Sequence, residues 1–247
     1  MNNRVALRFS EAASSYEESA RVQRQAAVEF DAWLSSCDLA APKHIAEIGC
    51  GTGFLTSLLA TRYPDAAICA TDLAPSMLER CQENLHANPN VEYRLCDGRD
   101  VRFDLAPDWI VSAMCFQWFD PLGPVLTHHF ANCKALAFSI LLDGSFSQWS
   151  DAHADAGQPL GLRKLPGYDD LLRECHAIDN TEVRTHRISL HESHSDGIDF
   201  AHAVRKIGAG EPRPGHRHAN LKPVLRALKH GLDANYEIAF VCLKHRD

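Results

Sequence analysis

Apolar positions along the chain recur with two periods. In residues 16–35, YEESARVQRQAAVEFDAWLS, the residues Val22, Ala26, Phe30 and Trp33 fall three or four apart, the spacing of one helical face. Short apolar runs of strand length follow at 44–49, 66–73, 91–97, 108–114 and 133–141, and two more near the end at 181–190 and 235–244. Between the first five lie helical patterns at 54–63, at 75–85 and from Pro121 to about Phe130. Pro75 suits a first helical turn, where its missing N–H costs nothing. Strands that alternate with helices at this interval predict parallel βαβ units. The expected fold is therefore α/β, doubly wound on a seven-stranded, mostly parallel sheet. No internal repeat or low-complexity linker divides it, so 1–247 reads as a single domain.

The first strand leads into an unusual stretch, 45-IAEIGCGTGFLTSLLA-60. Gly49, Gly51 and Gly53 alternate between the strand and the next helix. Glycine there permits a tight turn and lets a ligand approach the backbone at a helix N-terminus. The dinucleotide fingerprint G-x-G-x-x-G would put its third glycine at position 54, which is Phe54. The spacing is instead E-x-G-x-G-x-G. Asp72, at the end of the second strand, sits where a carboxylate can accept from both hydroxyls of a ribose.

Composition narrows the partners. Apolar residues make up 45% and charged residues 23%, ordinary for a soluble globular chain. The net charge of −7 gives no global attraction to nucleic acid or membrane. No apolar run approaches the roughly 18–20 residues of a spanning helix, and the N-terminus lacks a signal-peptide apolar core. The nine cysteines show no C-x-x-C and no metal spacing, which suggests reduced core thiols, such as Cys69, Cys96 and Cys242, in a cytoplasmic protein. Among 14 histidines, His128-His129, His191/His194 and His216/His218 are paired, yet no third ligand recurs at zinc-like spacing. They read as solvent-exposed side chains, and no metal is expected.

The glycine loop 47-EIGCGTG-53, the stretch 71-TDLAPSML-78, Asp97-Gly98 after the third strand and 108-DWIVSAMCFQW-118 together resemble the class I S-adenosylmethionine-dependent methyltransferases. The likeness spans about residues 40–143. It implies that this part is the cofactor-binding core. Glu47, Gly49 and Gly51 would flank the methionine end of S-adenosylmethionine, and Asp72 would bind its ribose. Leu73 and Met77 would line the adenine, Asp97-Gly98 would meet its edge, with Asp97 accepting from the exocyclic amine, and Met114 would face the sulfonium.

The outer segments are similar to the malonyl-acyl-carrier-protein O-methyltransferases of biotin synthesis. The likeness rests on 9-FSEAASSYEESARVQRQAA-27, Gln117-Trp118, 165-LPGYDDLL-172 and 200-FAHAVRKIGA-209. Parts of it are shared with trans-aconitate and quinone-precursor methyltransferases, so a free small-molecule acceptor stays open, as does a non-catalytic cofactor-binding partner. The family's Lys/Arg-Pro-Gly-Gly turn before the fifth strand is replaced here by 130-FANCKALAF-138. The resemblance implies an N-terminal helical lid over 1–38 and a substrate-side insert over 144–234.

A malonyl carboxylate is ionised at neutral pH, so its methylation needs no general base. It needs an anchor. Tyr16 and Gln23 in the lid, and Arg205 or Lys206 in the insert, are the candidates; Tyr16 is assigned the catalytic position because the resemblance lays that segment over the cofactor. Gln23 is also a candidate to touch the cofactor. Against the acidic whole, residues 204–230 hold Arg205, Lys206, Arg213, Arg217, Lys222, Arg226 and Lys229 with the single acid Glu211. Such a local basic face would steer an acidic acyl carrier protein.

Overall fold

The computed structural model describes residues 3–213, 215, 216 and 219–246. Arg217 and His218 lie outside the described residues. All seven expected strands form: β1 (His44–Ile48), β2 (Ala67–Asp72), β3 (Val91–Leu95), β4 (Trp109–Ala113), β5 (Ala135–Leu141), β6 (Thr181–His194) and β7 (Leu232–His245). They make one sheet in the order β3-β2-β1-β4-β5-β7-β6, parallel but for β7, which runs antiparallel to both neighbours. Strand order reverses between β1 and β4, where an open α/β sheet leaves a crevice at the carboxyl ends of its strands.

Nine helices lie among the described residues: α1 (Asn3–Ser19), α2 (Arg21–Leu34), α3 (Phe54–Arg62), α4 (Pro75–Asn84), α5 (Gly123–Phe130), α6 (Ser147–Asp155), α7 (Tyr168–His176), α8 (Gly197–Lys206) and α9 (Leu221–Ala227). The pattern over 16–35 predicts one helix; the chain builds two, broken at the wholly buried Ala20 (φ −91°, ψ 49°). Ahead of that break α1 packs on α4 and meets α8 through Ser15 Oγ, which donates to the Lys206 carbonyl at 3.1 Å.

Strand alternation splits the core between the two faces of the sheet. On β5 and β7, Ala135, Ala137, Ile238 and Phe240 join Phe30 of α2 and Leu59 of α3 on one face. Leu136, Phe138, Ala239 and Val241 join Leu126 of α5 and Leu171 of α7 on the other. The turn from α5 into β5 closes without glycine: Ala131 stays right-handed, its N–H donates to the Thr127 carbonyl, and the Asn132 N–H donates to the His129 carbonyl. All nine cysteines are free thiols, six of them buried. Among the described residues no helix is long and apolar enough to cross a membrane, and no three His, Cys, Asp or Glu side chains converge as a metal site.

The paired histidines are not uniformly on the surface. His129 is wholly buried with Nε2 2.7 Å from the Gly98 carbonyl, and burial lowers its pKa to about 4. His194 is also buried, as is His153. Each sits on a core-facing position of its element, which a list of histidines by sequence spacing does not reveal.

Candidate active site

At the carboxyl ends of β1, β2 and β4 the backbone is bent into a cradle. Gly49, Gly51 and Gly53 have φ of 72°, 56° and 96°, the left-handed region that side chains disfavour. The N–H groups of Gly49 and Cys50 bond the Thr71 carbonyl at 2.8 and 2.9 Å, tying the loop to the end of β2. A Cβ on Gly49 would meet Cys115 Sγ at 2.4 Å, so the loop fits flush against the β4 end. A Cβ on Gly51 would meet nothing within 4 Å, because that position opens into a cleft.

The cleft holds about 650 Å³ of space open to solvent. Gly49, Gly51, Asp72, Leu73, Met77 and Gly98 line one side. Val5, Ala6, Phe9 and Tyr16 of α1 face them from above, with Met114, Cys115 and Trp118 at one end. Asp72 is the only carboxylate on this wall among the described residues. Its oxygens accept from the N–H groups of Gly51 (2.9 Å) and Ala74 (2.8 Å). Burial pushes its pKa up, and the N–H groups of Ala74, Gly51 and Leu73 pull it back. The remaining acceptor capacity of the carboxylate is available to ribose hydroxyls. An open backbone at Gly51, a carboxylate at Asp72 and apolar walls at Leu73 and Met77 fit S-adenosylmethionine.

Met114 follows β4 with φ 52°, held by its N–H donating to the carbonyl and the hydroxyl of Ser139, both at 3.0 Å. Non-glycine residues in that conformation cost about 1–3 kcal/mol and concentrate at functional sites. Here the strain turns Met114 to the junction of two cavities. The second cavity, about 1600 Å³, shares Phe9, Tyr16, Met114 and Trp118 with the cleft. Its other walls include Gln23, Leu141, Phe146, Trp149, Phe200, Arg205 and Tyr236. The Tyr16 ring lies tilted against Phe54, centroids 5.9 Å apart, and burial together with the Asp72 carboxylate pushes its phenol well above the usual value.

Glu47, Asp97, Gln23 and Lys206 do not line the cleft. Glu47 is buried behind the loop: strand alternation turns it toward α3, where its carboxylate accepts from Thr56 Oγ1 at 2.6 Å. Asp97 turns to Arg99, two residues on, whose guanidinium lies 2.6 Å away, and its side chain does not line the cleft. Gln23, on α2 beyond the break at Ala20, lines the second cavity rather than the cleft. Lys206 is one residue and about 100° of helix from Arg205; it lines a polar groove beside His194 and Asp199 instead of that cavity. Gly98 packs against Ile48, where an added Cβ would sit 2.4 Å from Ile48 Cγ2.

Sequence reasoning missed Val5 and Phe9, although Val5, Phe9, Ala13 and Tyr16 share one helical spacing. It also missed Arg163, which has no local signal: its guanidinium lies 5.3 Å from the Trp118 ring, on the wall of the second cavity.

A family model described as a methyltransferase domain matches residues 45–135. The malonyl-[acyl-carrier protein] O-methyltransferase of Magnetococcus marinus is 30% identical over 97% of this chain and 91% of its own length. That of Acetivibrio thermocellus is 30% identical over 82% of this chain and 77% of its own length. The biotin biosynthesis bifunctional protein BioCD of Bordetella avium is 33% identical over 96% of this chain, which spans 51% of that longer protein. Solved structures agree on the fold. A methyltransferase of Bacillus halodurans superposes with a TM-score of 0.61 at 12% identity, over 89% of this chain and all of that one. The magnesium protoporphyrin IX methyltransferase of Synechocystis, with bound S-adenosylhomocysteine, gives 0.59 at 13% identity over 92% of this chain and 86% of that one. The chain is a methyltransferase that uses S-adenosylmethionine, and it belongs to the malonyl-[acyl-carrier protein] O-methyltransferase family.

Proposed function

We propose that the protein esterifies the free carboxylate of a malonyl thioester carried on acyl carrier protein, early in biotin synthesis in the cytoplasm. One observation carries this reading: a cleft suited to the cofactor opens, past Phe9, Tyr16, Met114 and Trp118, into a large cavity whose walls are mostly apolar but include Arg163 and Arg205. An extended acyl chain ending in a carboxylate fits such a cavity, with apolar walls along the chain and a cation near its charge. The division of the chain into a lid (1–38), a cofactor core (40–143) and an acceptor-side insert (144–234) belongs to the same proposal.

When bound, the sulfonium supplies an electrophilic methyl group. The acceptor carboxylate is already ionised and needs no base. The protein's task is to align its oxygen with the methyl–sulfur bond and keep water out. Tyr16 lines both cavities and is assigned that positioning through its hydroxyl. Gly49, Gly51, Asp72, Leu73, Met77, Gly98 and Met114 are assigned to the cofactor. Glu47 supports the loop from behind, and Asp97 pairs with Arg99.

Incubation with methyl-labelled S-adenosylmethionine and a panel of malonyl-loaded carrier protein, free malonate and trans-aconitate tests this. Label is expected on the loaded carrier, as an ester released by mild base. Labelling of a free acid in preference to the carrier would replace the proposed acceptor.

A further inference from the structure

Beside the acceptor cavity lies a third pocket of about 870 Å³, polar where the other two are apolar. Four arginines from four separate segments line it: Arg4 of α1, Arg99 after β3, Arg163 after α6 and Arg213 after α8. Two acids, Asp120 and Glu211, share the wall. Their charges do not cancel the ring. Glu211 is held by Arg4 at 3.2 Å and Arg8 at 3.7 Å, and Arg99 holds Asp97 outside the pocket. Arg163 and Arg213 have no ion-pair partner among the described residues. The Arg213 backbone is fixed, its N–H donating to the Gly161 carbonyl at 3.0 Å. The pocket adjoins the acceptor cavity, since Trp118, Arg163, Glu211, Pro212 and His216 line both.

Arg163 and Arg213, which have no carboxylate partner among the described residues, suit a phosphate, whose oxygens accept bidentate N–H groups. A single phosphate at the mouth of an apolar cavity that holds an acyl thioester describes one ligand chemistry: a phosphopantetheine thioester. We propose that this arginine-ringed pocket binds the phosphate of a phosphopantetheine arm, with Arg163 and Arg213 as its principal donors, while the thioester enters the acceptor cavity. This rests on the acceptor reading above. The same arm occurs on acyl carrier protein and in coenzyme A; the carrier-bound form is the one the family membership favours.

The test compares malonyl-pantetheine, malonyl-phosphopantetheine, malonyl-coenzyme A and malonyl-loaded carrier as methyl acceptors. The first two differ only by the phosphate. In the native protein, kcat/KM for the phosphorylated arm should exceed that for the bare arm by about tenfold or more, the size of one charge-assisted hydrogen bond. In Arg213→Gln the ratio should fall toward one, and Arg213→Lys should restore part of it. Because the readout is a ratio, a general loss of folding or chemistry does not mimic it. Equal kcat/KM for both arms in the native protein overturns the phosphate site and leaves the acceptor reading intact. Turnover of the loaded carrier with neither free arm accepted places recognition on the carrier's protein surface and also overturns the site. Failure of all four acceptors overturns the acceptor reading itself. A higher kcat/KM for malonyl-coenzyme A than for the carrier keeps the site and makes the soluble arm its source.

Discussion

The two cavities that meet at Tyr16 are built by different means. Around the cofactor cleft the contacts are made by backbone: three left-handed glycines, two N–H groups on the Thr71 carbonyl and two on Asp72. The supporting hydroxyls are spoken for as well, with Thr71 Oγ1 donating to the Glu47 carbonyl at 2.7 Å and Ser112 Oγ to the Ile48 carbonyl at 2.8 Å. The second cavity is more than twice as large and is walled by side chains from α1, α2, α6, α8, α9, the end of β5, β7 and several loops. Several polar atoms on its wall, Gln117 Oε1 and His216 Nδ1 among them, lack a protein partner. A fixed ligand can be read by a pre-formed backbone, whereas unpartnered side-chain atoms leave room for a ligand to supply the bonds.

The largest break expected in this comparison is Gly51→Val. It forces a β-branched residue to φ 56° and fills the cleft at its barest point. Affinity for S-adenosylmethionine, read by calorimetry, should fall about a hundredfold or more, combining strain and steric exclusion. Native affinity in a folded variant would remove the loop from the cofactor site. Asp72→Ala comes next. It deletes the acceptor of the Gly51 and Ala74 N–H groups as well as the carboxylate for the ribose, so about tenfold or more should be lost. A change under about twofold would make Asp72 a support of the loop alone.

Tyr16→Phe probes the junction. Removing one hydroxyl while keeping the ring on Phe54 should lower kcat about fivefold, one modest hydrogen bond, with little change in melting temperature. Equal activity would make Tyr16 a packing residue. On the acceptor side, Arg205→Gln should raise KM for the malonyl acceptor about threefold, whereas Lys206→Gln, which alters the neighbouring groove, should leave it unchanged. Equal effects from the two would dissolve the distinction between the helix faces.

Glu47→Gln should be the mildest. Burial raises the Glu47 pKa from about 4.5 to about 7, so the folded state holds its proton more tightly than the unfolded chain does. The stability this contributes is fully present below pH 4.5 and is lost as pH rises through 7. The amide removes that loss and still accepts from Thr56. At pH 8 the variant should melt about 2–4 °C above the native protein, if about 1 kcal/mol is recovered, with the advantage gone near pH 5. Scans at the two pH values check this; a variant that melts lower at both would mean that the ionised carboxylate stabilises the loop.

How far the sequence reveals each half follows from the same contrast. A backbone-made site leaves a local signature, and the E-x-G-x-G-x-G loop with Asp72 after the second strand points to the cleft before any coordinate does. Strand runs at 44–49 and 133–141 come close to β1 and β5 for the same reason, since local apolar patterns govern them. The sequence says less where side-chain direction decides. Glu47 turns toward Thr56 and Lys206 lines the neighbouring groove, directions that a strand or helix pattern alone does not give. Asp97 is turned aside by Arg99. Four helices, α6 to α9, have no counterpart in the periodic reading, and residues of α6, α8 and α9 reach the cavity that Tyr16 lines only through tertiary packing. Arg163 belongs to a loop whose place is set by Trp118, 45 residues earlier in the chain.

The central claim is that cofactor and acceptor occupy two adjoining cavities with Tyr16 and Met114 between them. A crystal structure with S-adenosylhomocysteine and a non-hydrolysable malonyl-phosphopantetheine analogue tests it most directly. The account expects the ribose on Asp72, the thioether sulfur facing Tyr16 and Met114, and the malonyl carboxylate across that junction in the larger cavity. Cofactor density away from the Gly49–Gly53 loop, or an acceptor bound without contact to the residues shared by the two cavities, would contradict it.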